Sequence, residues 1–327
     1  MSPAPNNAKG AAFALAAFGI YSTHDVVVKF LGGIYSPFQI VFFSTLFGFP
    51  IVTVMLMRDA TDGNLRPRHP WWTLLRTATA VLSTALVFYA FSVLPLAQTY
   101  AIVFAAPLLI TVLAIPILGE RVGWHRSAAV AVGLVGVIVV LRPGSTPLTA
   151  GHLAALGAAV SSAVAAVVVR KIGNEERSAV LLLYPMMANF ILMGLTMPFV
   201  YRAMPAMHLG GSVLMAALGF VGALCVIFAY RTGSAVVVAP MQYSQILWAV
   251  LYGYAFFGET PDRATAIGAA IIILSGIYVV FREETPHVSR TRPVLANQSR
   301  YVSGTYPRIS SLRRLFNDRR SRRRRGS

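Results

Sequence analysis

Polar and apolar positions along the chain separate into ten long apolar runs divided by short polar turns. The runs cover 11–31, 38–57, 71–93, 97–118, 127–141, 153–169, 180–201, 211–230, 236–257 and 265–281. Most approach the ~20 residues needed to cross a hydrocarbon core about 30 Å thick. No water is available in such a core, so each run predicts a helix that satisfies its own backbone. The shortest run is 127–141, and the longest connection is 58–70. The first run follows a polar segment, 1–10, that contains only Lys9, a position where a secretory signal also sits. It carries His24, Asp25 and Lys29 and matches an internal segment, so it is read as a retained first helix.

The pattern repeats. Leu118-Gly119-Glu120 falls on Phe257-Gly258-Glu259 at an offset of 139 residues, and Gly136 and Arg142 fall on Gly276 and Arg282 one residue later. Upstream, Val26-Val27-Val28-Lys29 matches Val167-Val168-Val169-Arg170, and Phe88-Tyr89-Ala90-Phe91 resembles Ile227-Phe228-Ala229-Tyr230. An internal repeat of this length sets the architecture before any other feature. The expected fold is all-α and polytopic, with ten transmembrane helices as two inverted five-helix repeats. The first repeat is 11–141, the second 142–282, and a disordered basic tail occupies 283–327. Five helices per unit is an odd number, so the second unit enters the membrane upside down. Inverted repeats place a substrate site where the halves meet and support alternating access by rocking about it.

Composition agrees. The chain is 56% hydrophobic and 12% charged, whereas a soluble domain carries about 25% charged residues. The net charge of +17 is unevenly placed, with thirteen arginines and three acids from Arg282 onward. Such a tail cannot bury a core. On the cytoplasmic side it would be drawn to anionic lipid, at about 1 kcal/mol per basic residue near the surface. Nucleic acid is not expected as a partner, because no folded basic module or aromatic interleaving accompanies the charge. Cys225 is the single cysteine and lies in an apolar run, which reads as an inert thiol. No metal-ligand spacing is present, and no cofactor or metal is expected.

Orientation follows from Lys and Arg, which concentrate in cytoplasmic loops. With the N-terminus inside, eleven fall on inner segments (Lys9, Arg58, Arg66, Arg68, Arg76, Arg121, Arg126, Arg170, Lys171, Arg177 and Arg231). Four fall outside: Lys29, Arg142, Arg202 and Arg263. Both termini are therefore expected in the cytoplasm, with the protein in the inner membrane. A C-terminal alkaline phosphatase fusion should be inactive and a C-terminal fluorescent protein bright; the opposite pair of results would overturn the charge count.

The doubled pattern resembles the drug/metabolite transporter superfamily, in particular its ten-helix carriers built from two EamA-type units. The matching residues are Tyr89-Ala90-Phe91, Pro95, Pro107, Leu118-Gly119-Glu120 and Gly136, then Ala229-Tyr230, Pro240, Phe257-Gly258-Glu259 and Gly276. The resemblance covers about residues 11–282. It implies a secondary carrier of small organic molecules with a cavity lined largely by the third, fourth, eighth and ninth helices. It also implies a helix-1 Asp and Lys four apart, matched by Asp25 and Lys29. Relatives often read Phe-Phe-Arg in the second helix, where this chain has Phe42-Phe43-Ser44.

Polar groups inside the runs supply the candidate site. Gln242, Gln245, Trp248 and Tyr252 recur at helical spacing along one face of the ninth run, beside Tyr243. Amides in a bilayer face a cavity or a neighbouring helix, and both readings stand for this face. Tyr100 and Phe104 form a related face of the fourth run with Pro107 and Thr111, and Phe104 occupies the repeat position of Tyr243. Tyr89 and Tyr230 lie near the ends of their runs, where lining a cavity and anchoring to the interface are equally open. His24, Asp25 and Lys29 are candidates for coupling to a proton gradient. Asp25 and Lys29, four apart, can also form a structural ion pair along the helix. Glu120 and Glu259 read as turn elements at the aqueous boundary.

Rival classes fare less well. No His-Glu-x-x-His, Gly-x-Ser-x-Gly or phosphate-binding loop is present, which argues against a membrane enzyme or a primary pump. The aromatic, amide-rich faces suit a flat neutral heterocycle of riboflavin type, with S-adenosylmethionine, an amino acid or a drug as alternatives.

Overall fold

A computed structural model describes residues 6–57, 65–120, 122–144, 147–173 and 175–284; the basic tail, with its expected disorder and lipid binding, lies outside them. The helices are α1 (Asn7–Gly32), α2 (Pro37–Met57), α3 (Pro70–Val93), α4 (Leu96–Val103), α5 (Ala106–Leu118) and α6 (Trp124–Leu141). The second half holds α7 (Ala150–Ile172), α8 (Ser178–Val200), α9 (Ala206–Thr232), α10 (Ala235–Val238), a 3₁₀ turn (Ala239–Tyr243), α11 (Ser244–Phe257) and α12 (Arg263–Glu284). Eight helical segments among the described residues are long and apolar enough to cross a membrane. With α2 and the α10–α11 segment they make ten, in an all-α polytopic membrane protein.

Two of the ten are not the continuous helices that the apolar runs predict. The fourth breaks at Phe104–Ala105, and the ninth passes through a 3₁₀ turn before α11. Proline explains both. Pro107 stands at the first turn of α5 and Pro240 at the start of the 3₁₀ turn, positions where a missing backbone N–H costs nothing inside the element. The two breaks end at matching repeat positions, since α5 starts at Ala106 and α11 one residue before its counterpart, Gln245.

Packing follows the repeat as well. α1 lies along α9, and its counterpart α7 lies along α3; α2 packs on α8, and α6 on α12. Each half therefore exchanges helices with the other across an internal twofold. The α6–α12 seam is close: a Cβ on Gly268 would stand 2.6 Å from the Gly136 carbonyl oxygen and 2.5 Å from Val140 Cγ2. Small residues at such a seam let two backbones meet where lipid offers no hydrophobic drive. The largest core cluster joins α1, α3, α4 and α11 around Tyr100, Phe104 and Tyr243.

Both Gly-Glu turns share one backbone device. Gly119 (φ 70°) and Gly258 (φ 66°) adopt the left-handed conformation, which favours glycine. Each closes its helix by donating to the carbonyl four residues back, Ile115 or Tyr254. The following glutamate is thereby turned back toward the bundle.

Candidate functional site

A buried polar centre forms where α1, α4 and α11 meet. Asp25 is 2% exposed. Its Oδ1 lies 2.8 Å from His24 Nδ1, and its Oδ2 accepts from the Tyr100 hydroxyl. Gln245, fully buried, reaches the same hydroxyl through Nε2 at 3.5 Å. The Gln245 Oε1 has no hydrogen-bond partner. An acid from the first repeat and an amide from the second are thus joined through one tyrosine.

Aromatic side chains surround this centre. Tyr100 packs on Phe91 and Phe104, with ring centroids 5.2 and 5.8 Å apart, and Phe104 meets Tyr243 at 5.2 Å. Phe104 and Tyr243 are repeat counterparts at the two helix breaks, so the counterparts touch each other. On α11, the Trp248 and Tyr252 rings meet at 5.7 Å, tilted by 33°. Trp248 lies against Gly19 of α1, and the Thr23 Oγ1 is 3.2 Å from the Tyr252 hydroxyl. Gln242 is buried in the 3₁₀ turn. The ninth run's lipid side is as apolar as its inner side is polar, with Leu247 and Leu251 exposed.

Two candidates lie elsewhere. Tyr89 is exposed on α3, and Tyr230 packs at the edge of an α1–α9 cluster with Ala14, Ala17 and Phe18. The pairing of Asp25 with Lys29 needs correction. Lys29 Nζ is 2.7 Å from Glu259 Oε1 and donates to the Leu94 carbonyl at 2.5 Å. The other Glu259 oxygen accepts from the Leu96 amide at 2.9 Å. Local i, i+4 spacing gives way here to a partner 230 residues distant, because the αL glycine aims Glu259 at the end of α1. The counterpart pair in the other half is Arg170 with Glu120. Sequence reasoning treated both glutamates as turn elements and missed these pairings.

Beyond the Lys29–Glu259 pair, Asp262 bonds Arg142. Burial alone would raise this carboxyl's pKa, but hydrogen bonds from Thr265 and the Arg142 guanidinium outweigh it and hold the pKa below its ordinary value.

The two repeats divide these residues into two classes. In the register of the matched segments, His24 and Asp25 correspond to Ala165 and Ala166, Tyr100 to Ala239, and Gln245 to Ala106. Trp248 and Tyr252 correspond to Leu109 and Leu113. The polar centre therefore exists in one copy only. Lys29 and Glu259, by contrast, have their charge and their pairing preserved in Arg170 and Glu120. Polar residues that face alanine or leucine in the twin repeat are the signal that marks the centre in the sequence.

The EamA-like transporter family matches this chain twice, over residues 8–142 and 149–282. An S-adenosylmethionine uptake transporter of Rickettsia conorii is 26% identical over 266 residues, covering 80% of this chain and 89% of that protein. A riboflavin transporter of Vibrio cholerae is 28% identical over 274 residues, covering 77% and 89%. A pseudopaline exporter of Pseudomonas aeruginosa is 26% identical over 272 residues, covering 82% and 94%. One crystal structure of a protein aligns with a TM-score of 0.57 at 21% identity, over 86% of this chain and 99% of that one, and shares the fold.

Proposed function

Because this chain belongs to the EamA-like transporter family, and is a small-molecule transporter and not an enzyme, we propose that it is a secondary carrier whose substrate docks at Asp25, Tyr100 and Gln245. The observation that carries this reading is the buried acid joined to a buried amide across the two repeats, beside two helix breaks. Discontinuous helices at a repeat interface are where inverted-repeat carriers bind cargo. An ionisable group kept inside a membrane bundle is costly unless it serves a pathway or finds partners. His24 and Asp25 retain the coupling role, with a proton exchanged for cargo at the carboxylate. Lys29 does not share it, being held by Glu259. Residence in the inner membrane with both termini cytoplasmic completes the reading.

The placement of Asp25 among aromatic rings shifts the favoured substrate from a neutral heterocycle to a planar heterocycle bearing a positive centre. A carboxylate attracts the cation, and the Trp248 and Tyr252 rings add cation–π attraction. S-adenosylmethionine has this chemistry, and relatives at about 26% identity are named for its uptake. Riboflavin is the second reading, favoured by the stacking rings and by the unpartnered Gln245 Oε1.

Counterflow into proteoliposomes separates the two. S-adenosylmethionine inside the vesicles should drive saturable entry of the labelled compound, and S-adenosylhomocysteine, which lacks the positive sulfur, should not. Riboflavin counterflow would exchange the two readings. Linear, non-saturating flux would refute a carrier.

A further inference from the structure

Lys29–Glu259 and Arg170–Glu120 are the ionic features that both repeats keep, while the polar centre is kept by one. The crossings place them at opposite faces. α1 runs from the face of the N-terminus to Lys29 at the far face, and the α11–α12 turn returns Glu259 there. α7 ends at the face of the N-terminus, and the α5–α6 turn brings Glu120 to it. Lys29 lies one helical turn, about 6 Å of rise, beyond Asp25, so the far pair stands on the far-face side of the polar centre. Each pair ties the end of one repeat's first helix to the Gly-Glu turn of the other repeat. Relative motion of the repeats must therefore stretch them.

We propose that these two ion pairs are latches that open in alternation, Lys29–Glu259 exposing the centre to the far face and Arg170–Glu120 exposing it to the face of the N-terminus. The proposal rests on the alternating-access reading above. It also assigns an order. In the far latch both Glu259 oxygens are engaged, and Lys29 has a second acceptor in Leu94. In the near latch Glu120 Oε2 and Arg170 Nη1 are buried without partners. Unmet hydrogen-bonding capacity weakens a buried ion pair, so the empty protein opens more readily toward the face of the N-terminus.

Thiol accessibility tests this without a substrate. In full-length protein with Cys225→Ser, a Ser22→Cys probe stands on the Asp25 face of α1, and Thr23→Cys serves as a second probe. Membrane-impermeant maleimide is applied from each face in oriented vesicles. Glu259→Gln should raise labelling from the far face about tenfold, which corresponds to 1.4 kcal/mol. Glu120→Gln should raise it from the near face, where the parent is already the faster. Lys29→Glu combined with Glu259→Lys should return labelling to the parental pattern. Unchanged labelling with a lowered melting temperature would make the pairs static ties and overturn the proposal, as would both variants opening the same face. Parental counterflow, measured separately, decides the carrier reading; its absence would leave the labelling result standing on its own.

Discussion

Gly268→Val is expected to abolish most folded protein at the α6–α12 seam. Even a single added carbon at this position meets the Gly136 carbonyl oxygen at 2.6 Å and Val140 at 2.5 Å. One of these is backbone and cannot rotate away, so the helices must separate. In a bilayer their association depends on that close van der Waals contact. Overpacking typically costs 1–3 kcal/mol, and a branched side chain against a main-chain atom belongs at about the upper end of that range. Gly210→Ala is the control, because nothing stands within 4 Å of its added carbon. A glycine replaced by alanine in an unstrained position gains about 0.4–1 kcal/mol. Melting temperature and monodisperse yield in detergent should fall steeply for the first variant and hold or rise for the second. Equal behaviour would mean that α6 and α12 do not meet through their backbones.

Asp25→Asn is expected to leave the fold intact and reduce transport by about ten- to a hundredfold. Asparagine keeps an acceptor for the Tyr100 hydroxyl and nearly the same volume, so the loss isolates the charge. Hydrogen bonds to charged groups contribute about 1.5–3 kcal/mol, and each 1.4 kcal/mol is tenfold in affinity. Gln245→Leu makes the companion case. Leucine removes the amide donor to the Tyr100 hydroxyl and leaves any substrate group that the amide serves unpaired, a cost of about 1–3 kcal/mol. A purely packing amide would show about 0.6 kcal/mol, and only in stability. Uptake normalised to membrane abundance, with melting temperature beside it, decides both. Parental uptake by the Asp25→Asn protein would remove the carboxylate from the pathway.

The ten crossings and the twofold repeat were legible because hydrophobic run length and recurring Gly-Glu turns are local properties of the chain. The inward polar face of α11 was legible for the same reason, since Gln245, Trp248 and Tyr252 share one side by helical spacing. Lys29 was not. Its neighbour in sequence, Asp25, offered a local partner, and only the fold brought Glu259 from the far end of the chain. The helix breaks were half visible. Pro107 marks one, but a proline in the first turn starts a helix as readily as one further along kinks it. Tyr89 and Tyr230 fall on Phe228 and Phe91 of the twin repeat, and they lie away from the Asp25–Tyr100–Gln245 cluster, on exposed α3 and at the α1–α9 packing.

The unequal partnering of the two ion pairs bears on kinetics and not on equilibrium. A protein that waits longer open toward one side presents a different half-saturation concentration and maximal flux to each side, yet these quantities must compensate. With equal substrate on both sides, net flux remains zero however lopsided the waiting times become. Uphill accumulation therefore requires a second gradient that loads the same pocket, and these four side chains can tune only how quickly it is reached.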